Sequence, residues 1–169
     1  MKSRFKTEFD ELWAQTAAKM RSYMYCAAGS WTDADDMVQD CYLRALRGWA
    51  QFDGRASRQA WLFGIARRTR ADWYRKKNRK SVAASVANLD DLDGSLSERS
   101  NVDRFERVWD AVGELGAEQG EVVHLRFAAD LSYAEIARVL GVPIGTVRSR
   151  LHRGLKAIRE KIKDKKDEA

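Results

Sequence analysis

Apolar residues recur at intervals of three and four over most of the chain, which is the spacing of an amphipathic helix. The first such stretch runs from Thr7 to about Ala28 and ends at Gly29. A second covers residues 31–49 and has acidic residues in its first turn, where the helix dipole favours them. A third begins at about Arg58 and continues into the 70s. These stretches predict an all-α fold.

The helical periodicity is lost over residues 81–102, where serine, asparagine, aspartate and glycine accumulate. This composition is typical of a linker. A new helical pattern starts near Phe105, and another helix leads into residues 132–155. We therefore predict two small helical domains, residues 1–80 and 103–169, joined by a flexible linker.

The segment 132–155 has the pattern of a helix-turn-helix. Ser132 and Glu135 have the spacing of a capping box, which begins the first helix. Gly141 ends that helix, because glycine tolerates the left-handed backbone of a sharp turn. Pro143, the only proline in the chain, suits the first turn of the second helix.

The second helix of this motif has an apolar face and a basic face. Its apolar stripe consists of Val147, Leu151, Leu155 and Ile158. The opposite face and its flanks carry Arg148, Ser149, Arg150, His152, Arg153, Lys156 and Arg159. Arginine can bind guanine edges in the major groove, and other cations and hydroxyls can bind phosphates, so this face is predicted to contact duplex DNA. An ordinary helical hairpin with a solvated basic face is the alternative.

Composition excludes several classes of protein. With 44% hydrophobic and 33% charged residues, the chain is predicted to be soluble and globular. It has no apolar run long enough for a membrane span and no signal-peptide core at its start, which predicts a cytoplasmic location. Cys26, Cys41, His124 and His152 lack metal-site spacing, so we expect no metal and no cofactor. The net charge is +6, and the first 80 residues are the most basic part.

The second predicted helix carries an acidic face. Asp36, Gln39, Asp40 and Leu43 lie on the side opposite its apolar stripe, with the leucine set among the acids. Such a face can dock on a basic helix of a partner protein. A merely solvated face explains the pattern equally well.

Aromatic and basic residues alternate along both flanks of the third predicted helix. One flank carries Trp61, Arg68, Asp72, Arg75 and Arg79, and the other carries Phe63, Arg67, Arg70, Tyr74 and Lys77. This mixture suits the stacking of unpaired bases beside a phosphate backbone. Core packing is the alternative for Trp61 and Trp73.

Three segments resemble one family. DADDMVQDCYLRALR, AWLFGIARRTRADWYRKKNRK and LSYAEIARVLGVPIGTVRSRLHRGLKAIRE are similar, in this order, to regions two and four of the extracytoplasmic-function (ECF) sigma factors, the small initiation subunits of bacterial RNA polymerase. The resemblance implies that Asp36, Gln39, Asp40 and Leu43 bind the β′ clamp helices of the polymerase. It also implies contact with the β flap, with promoter DNA and with an inhibitory anti-sigma factor.

The resemblance further implies which residues contact the promoter. The single-stranded −10 element is expected to bind the loop from Phe52 to Arg58 and the helix after it. The candidate contact residues are Phe52, Arg55, Trp61, Arg68, Asp72 and Arg75. The duplex −35 element is expected to bind Arg148, Ser149, His152 and Arg153. Arg68 stands where many members have an asparagine, which leaves the preferred −10 base open.

Two other functions compete with this interpretation. A stand-alone helix-turn-helix regulator predicts a receiver or ligand-binding domain in the N-terminal part. An enzyme acting on nucleic acid requires a carboxylate cluster or a His/Cys metal set. The acids Asp35, Asp36 and Asp40 lie at a helix start, where docking or capping explains them. We therefore expect no catalytic activity.

Overall fold

The computed structural model describes residues 2–84 and 111–167. Within them the fold is all-α and no β-strand occurs, which confirms the predicted fold class. Most of the predicted linker 81–102, and the start of the helix near Phe105, lie outside the described residues.

Three helices form the N-terminal domain: α1 (Lys2–Ala28), α2 (Trp31–Gly48) and α3 (Arg58–Ala84). Helix α1 starts before the predicted Thr7. A short 3₁₀ helix, Trp49–Gln51, follows α2 and leads into the loop before α3.

The break between α1 and α2 is set by two adjacent residues. Gly29 has φ 69°, a left-handed conformation that glycine adopts without strain, and its N–H donates to the Tyr25 carbonyl at 2.9 Å. Ser30 then caps α2, where its hydroxyl accepts a hydrogen bond from the Asp33 N–H. The two helices thereby pack side by side as an antiparallel pair.

The core of this domain is formed by the apolar stripes of all three helices. Its fully buried members include Phe9, Met20, Tyr23, Met24, Ala34, Cys41, Ala45, Leu62, Phe63 and Ala66. Burial raises the pKa of the Cys26 and Cys41 thiols to about 12, so both stay protonated near neutral pH. These cysteines therefore act as packing residues.

The second described part contains a helical stretch at residues 111–113 and then α4 (Ala117–Phe127), α5 (Tyr133–Leu140) and α6 (Ile144–Asp167). Helices α5 and α6 form the predicted helix-turn-helix. The Ser132 side chain accepts from the Glu135 N–H at 3.3 Å, and the Glu135 carboxylate accepts from the Ser132 N–H at 2.9 Å. Gly141 has φ 68° and ends α5. The capping box and the turn glycine are confirmed.

The two domains contact each other directly. Helix α3 packs against α5, and α1 packs against α4. Among residues 2–84 and 111–167, every helix is too short or too polar to traverse a lipid bilayer.

Candidate nucleic-acid and polymerase interfaces

The acidic face of α2 is open to solvent along its whole length. Asp36, Gln39, Asp40 and Leu43 are all exposed or half-exposed, and 47% of the Leu43 surface remains accessible. The opposite face of the helix is buried through Ala34, Met37, Cys41 and Ala45. The arrangement is the one expected of a docking face, because an apolar residue is held in solvent among acids.

A chain of ion pairs connects this face to α3. Arg44 donates to Asp40 on its own helix, with 2.9 Å between Nη2 and Oδ2, and also to Asp72 on α3. Arg75 donates to the same Asp72 carboxylate. Hydrogen bonds from Arg44 and Arg75 lower the pKa of Asp72, so this carboxylate is ionised near neutral pH. These ion pairs fix the position of α2 relative to the basic flank of α3.

An open cavity of about 430 Å³ lies between α2 and α3. Four of the predicted −10 residues line it together: Trp61, Arg68, Asp72 and Arg75. The remaining lining side chains include Arg44 and Ile65, so the cavity combines an aromatic ring, an aliphatic side chain and several guanidinium groups. Such a lining suits a flat, polar-edged ring such as a nucleobase.

Trp61 contributes to both the core and the cavity. It is half-buried and packs against the core, with its ring 5.7 Å from that of Trp49 and 5.4 Å from that of Phe52. Phe52 in turn stacks on Trp49 with an interplanar angle of 3°. The predicted Phe52 is therefore next to the cavity and supports its aromatic wall.

Arg55 is separated from this cluster. Its side chain is 89% exposed and pairs with Asp53, with 3.3 Å between Nε and Oδ2. Its carbonyl oxygen accepts a hydrogen bond from Arg138 of α5 at 2.7 Å. The loop that carries Arg55 is thus in contact with the helix-turn-helix domain.

The second flank of α3 is only partly the open surface that the sequence suggested, because two of its five residues are buried. Phe63 is fully buried and meets the Tyr23 ring edge-on at 5.5 Å, and Arg70 is only 7% exposed. The Arg70 guanidinium lies 4.4 Å from the centre of the Tyr23 ring. Phe63 thus packs on α1, and Arg70 lies between α1 and α4, whereas Arg67, Tyr74 and Lys77 on the same flank remain exposed.

A buried polar cluster at the domain boundary was missed by sequence reasoning. The Tyr23 hydroxyl donates to Glu121 Oε1 of α4 at 2.7 Å, and Arg70 Nη1 lies 3.8 Å from Glu121 Oε2. His124, also on α4, is 5% exposed. Burial and the nearby Arg70 charge lower the pKa of His124 to about 3, so its imidazole is neutral. The one sequence signal was the position of Arg70 at the edge of the apolar stripe of α3.

The predicted −35 residues share one open face of α6. Arg148, Ser149, His152 and Arg153 are exposed, while Val147, Leu151 and Ile158 are buried against α4 and α5. The Ser149 hydroxyl donates to the Thr146 carbonyl at 3.0 Å. The predicted −35 residues are therefore presented together to solvent on one side of α6.

Arg150 has a different role from its neighbours. It was grouped with the cations that flank the recognition face, but its side chain is only 18% exposed and its Nη2 lies 2.6 Å from Glu118 Oε1 of α4. This ion pair holds α6 against α4. Arg150 therefore supports the helix-turn-helix rather than extending the exposed basic face of α6.

Comparison with known proteins agrees with this arrangement of surfaces. The family model for sigma-70 region 2 matches residues 12–80, and that for sigma-70 region 4 matches residues 105–158. The ECF RNA polymerase sigma factor SigC of Mycobacterium tuberculosis is 36% identical over 126 residues, which cover 74% of this chain and 68% of that protein. The chain belongs to the ECF group of the sigma-70 family.

Further relatives extend the similarity over more of this ECF sigma factor. SigW of Bacillus subtilis, also an ECF RNA polymerase sigma factor, is 29% identical over 86% of this chain and 84% of its own length. The sigma factor RpoE of Bartonella quintana, solved in complex with the anti-sigma factor NepR, shares the fold with a TM-score of 0.77, covering 92% of this chain and 97% of that one at 24% identity. CnrH in complex with the cytosolic domain of CnrY gives a TM-score of 0.73 at 24% identity, covering 94% of this chain and 90% of that one.

Proposed function

We propose that this ECF sigma factor binds core RNA polymerase and directs promoter-specific initiation by reading a single-stranded −10 element and a duplex −35 element. One observation carries the proposal: the two matched regions contain, in family order, an exposed acidic face, an aromatic and basic cavity, and an exposed recognition helix. We assign residues 1–80 to the region 2 domain and residues 103–169 to the region 4 domain.

The acidic face is proposed to dock on the β′ clamp helices. Asp36 and Asp40 supply negative charge, and the exposed Leu43 supplies the apolar centre that a stable contact requires. The β flap is the partner that we expect for the region 4 domain. Charge complementarity of this kind sets the register of two helices and speeds their encounter.

The cavity is proposed to hold an unpaired base of the −10 element. Trp61 offers a ring for stacking, and Arg68 and Arg75 offer donors to base edges or to phosphates. The Asp72 carboxylate lines the cavity and pairs with Arg44 and Arg75, so it also orients these two guanidinium groups. Phe52 supports the wall, and Arg55 lies on the adjoining loop.

The recognition face is proposed to read the −35 duplex. Arg148 and Arg153 can each form paired hydrogen bonds with a guanine, and Ser149 and His152 can contact phosphates or base edges. Two elements read by two domains give the promoter specificity that neither supplies alone.

No catalytic activity of its own and no cofactor belong to this proposal, and the site of action is the cytoplasm, where polymerase and promoter meet. An anti-sigma factor is a further expected partner, in keeping with the complexes in which RpoE and CnrH were solved. The stand-alone regulator is not favoured, because the N-terminal part matches sigma-70 region 2 instead of a receiver or ligand-binding domain.

Promoter opening provides the test. Core polymerase with and without this protein is incubated with a genomic fragment library from the same organism, and unpaired thymines are detected by permanganate reactivity. We expect reactivity near −10 only when the protein is present, and a Trp61→Ala variant should reduce it. Binding of the protein to duplex fragments without any opening by polymerase would support the regulator instead.

A further inference from the structure

One stripe of α3 forms a wall of the cavity between α2 and α3. Its members, Trp61, Ile65, Arg68, Asp72 and Arg75, follow one another at intervals of four and three residues, so they lie on the same side of the helix. Along the stripe, Ile65 is buried, whereas Arg68 and Arg75 are exposed. The cavity therefore offers apolar contact and charged groups to the same ligand.

Three guanidinium groups line the cavity, and two of them are already engaged. Arg44 pairs with Asp40 and Asp72, and Arg75 pairs with Asp72. Arg68 differs from both, because it forms no hydrogen bond and no ion pair with any other residue that the structure describes. A guanidinium carries five N–H donors and no acceptor. Arg68 is therefore the arginine of the cavity whose donors are free to bind a ligand.

The fixed fork of a free guanidinium discriminates among the four bases. Two of its donors point the same way, so it fits a base edge that has two neighbouring acceptors. Guanine presents such a pair as O6 and N7, whereas adenine places the N6 donor beside N7, and thymine has O4 next to a methyl group. An unpaired cytosine also has two neighbouring acceptors, N3 and O2. Guanine and cytosine are therefore the bases that Arg68 can bind with two hydrogen bonds.

The carboxylate of Asp72 decides between these two bases. It lies one turn after Arg68, and hydrogen bonds from Arg44 and Arg75 lower its pKa, so it is an ionised group that only accepts. Arg44 binds Oδ2 and Arg75 binds Oδ1, so each oxygen keeps a further lone pair. The Watson–Crick edge of guanine carries two neighbouring donors, N1–H and the N2 amino group, and it adjoins the O6 and N7 edge. Cytosine held through N3 and O2 has a single remaining donor group, so guanine matches both side chains better.

We propose that the cavity selects guanine at one unpaired position of the −10 element and that Arg68 is the residue that determines this specificity. Its guanidinium binds O6 and N7, the Asp72 carboxylate accepts from N1–H and the N2 amino group, and Trp61 contacts the ring. The inference rests on the proposed promoter function and adds the identity of one base to it. An asparagine in place of Arg68 offers one donor and one acceptor, so it cannot bind O6 and N7 together.

The first measurement is a selection with the holoenzyme, the complex of core polymerase with this protein. The DNA is a duplex with a bubble of twelve random bases in one strand, and bound molecules are sequenced and compared with those bound by core polymerase alone. We expect guanine to be enriched about tenfold over adenine and thymine at one position of the bubble. Arg68→Asn should lose this enrichment and keep the preferences at the other positions. Arg67→Asn is the matched control, because Arg67 is an exposed neighbour that does not line the cavity.

The second measurement tests the individual contacts on the enriched guanine. This base is replaced either with 7-deazaguanine, which lacks the N7 acceptor, or with hypoxanthine, which lacks the N2 amino group. We expect 7-deazaguanine to weaken binding by the parent holoenzyme about tenfold and to leave binding by Arg68→Asn unchanged, because a hydrogen bond from a charged donor is lost only in the parent. Hypoxanthine should weaken binding by the parent and not by Asp72→Ala. Circular dichroism checks that each variant remains helical.

Several results would overturn the inference. They are selected positions of which none prefers guanine, a guanine preference that survives Arg68→Asn, loss of this preference in Arg67→Asn as well, and equal binding of guanine and 7-deazaguanine by the parent. A failure of the proposed function is distinguishable from these results. In that case no position of the bubble would be enriched over core polymerase alone, and Trp61→Ala would leave binding unchanged.

Discussion

The close packing of α6 on α4 leads to a specific prediction about Gly154. A Cβ atom at this position would lie 3.0 Å from Val123 Cγ2 and 3.6 Å from both Gln119 Cβ and Leu115 Cδ1. Val123 is buried and β-branched, so it has little freedom to rotate away. We therefore predict that Gly154→Ala destabilises the protein, even though alanine is the better helix former.

The magnitude follows from two opposing terms. Alanine in a helix interior is favoured over glycine by roughly 0.5–1 kcal/mol, whereas one extra carbon in a packed core costs about 1–3 kcal/mol. The free energy of unfolding should thus fall by about 0–2.5 kcal/mol in Gly154→Ala. Gly145, near the start of the same helix, is exposed, and a Cβ atom added there would meet nothing within 4 Å among the described residues. Gly145→Ala should be neutral or stabilising by up to about 1 kcal/mol.

Urea unfolding followed by far-ultraviolet circular dichroism measures both variants. The informative quantity is the difference between the free energies of unfolding of the two variants, about 1–3 kcal/mol. The helical preference for alanine contributes to both variants and largely cancels in this difference. Equal stabilisation by the two substitutions would show that Val123 yields without cost, and it would refute the claim that the α4–α6 contact is close-packed at this point.

Three other predictions concern the interfaces and the buried histidine. Replacing Asp36 and Asp40 with lysine should abolish binding to core polymerase with helicity unchanged, because charge reversal repels a basic partner; parental affinity in a pull-down would refute the docking assignment. Arg148→Ala and Arg153→Ala should each weaken −35 binding by about 1–3 kcal/mol where the arginine binds a base, and less where it touches phosphate; competition with altered duplexes measures this, and an unchanged preference across all of them would show that α6 does not read bases. Burial lowers the pKa of His124 to about 3 in the folded protein. Keeping this histidine neutral therefore contributes to stability above the pKa of the unfolded state, and the contribution is lost as the pH falls toward the pKa of the folded state. From an unfolded pKa of about 6.5, the free energy of unfolding should fall by about 1.4 kcal/mol per pH unit, and His124→Asn should remove this contribution; an identical slope in that variant would contradict the assignment.

The helix-turn-helix was predictable because its signals are local. The capping box of Ser132 and Glu135 and the left-handed Gly141 act within a few residues, and helical periodicity then fixes which side of α6 is buried. The same periodicity placed Asp36 and Leu43 on the open face of α2. Local chemistry of this kind can be read from one chain without knowledge of the tertiary contacts.

The features that the sequence did not reveal depend on contacts between distant segments. Arg70 has the appearance of a surface cation until α4 brings Glu121 against it, and Arg150 looks like a DNA contact until Glu118 meets it. The cavity likewise exists because Arg44, Gly48 and Gln51, which precede α3 in the chain, join the wall formed by α3. Periodicity assigns a residue to a face, but it does not say which other element covers that face.

The role of a promoter-specificity subunit that docks through α2 is tested most directly by multiple-round run-off transcription. Purified core polymerase is assayed on DNA from the same organism, with and without this protein. We predict discrete transcripts that require the protein and that disappear with the Asp36→Lys, Asp40→Lys double variant. Identical transcripts with and without the protein, or transcripts that the double variant supports as well as the parent does, would contradict its assignment as a promoter-specificity subunit that docks through α2.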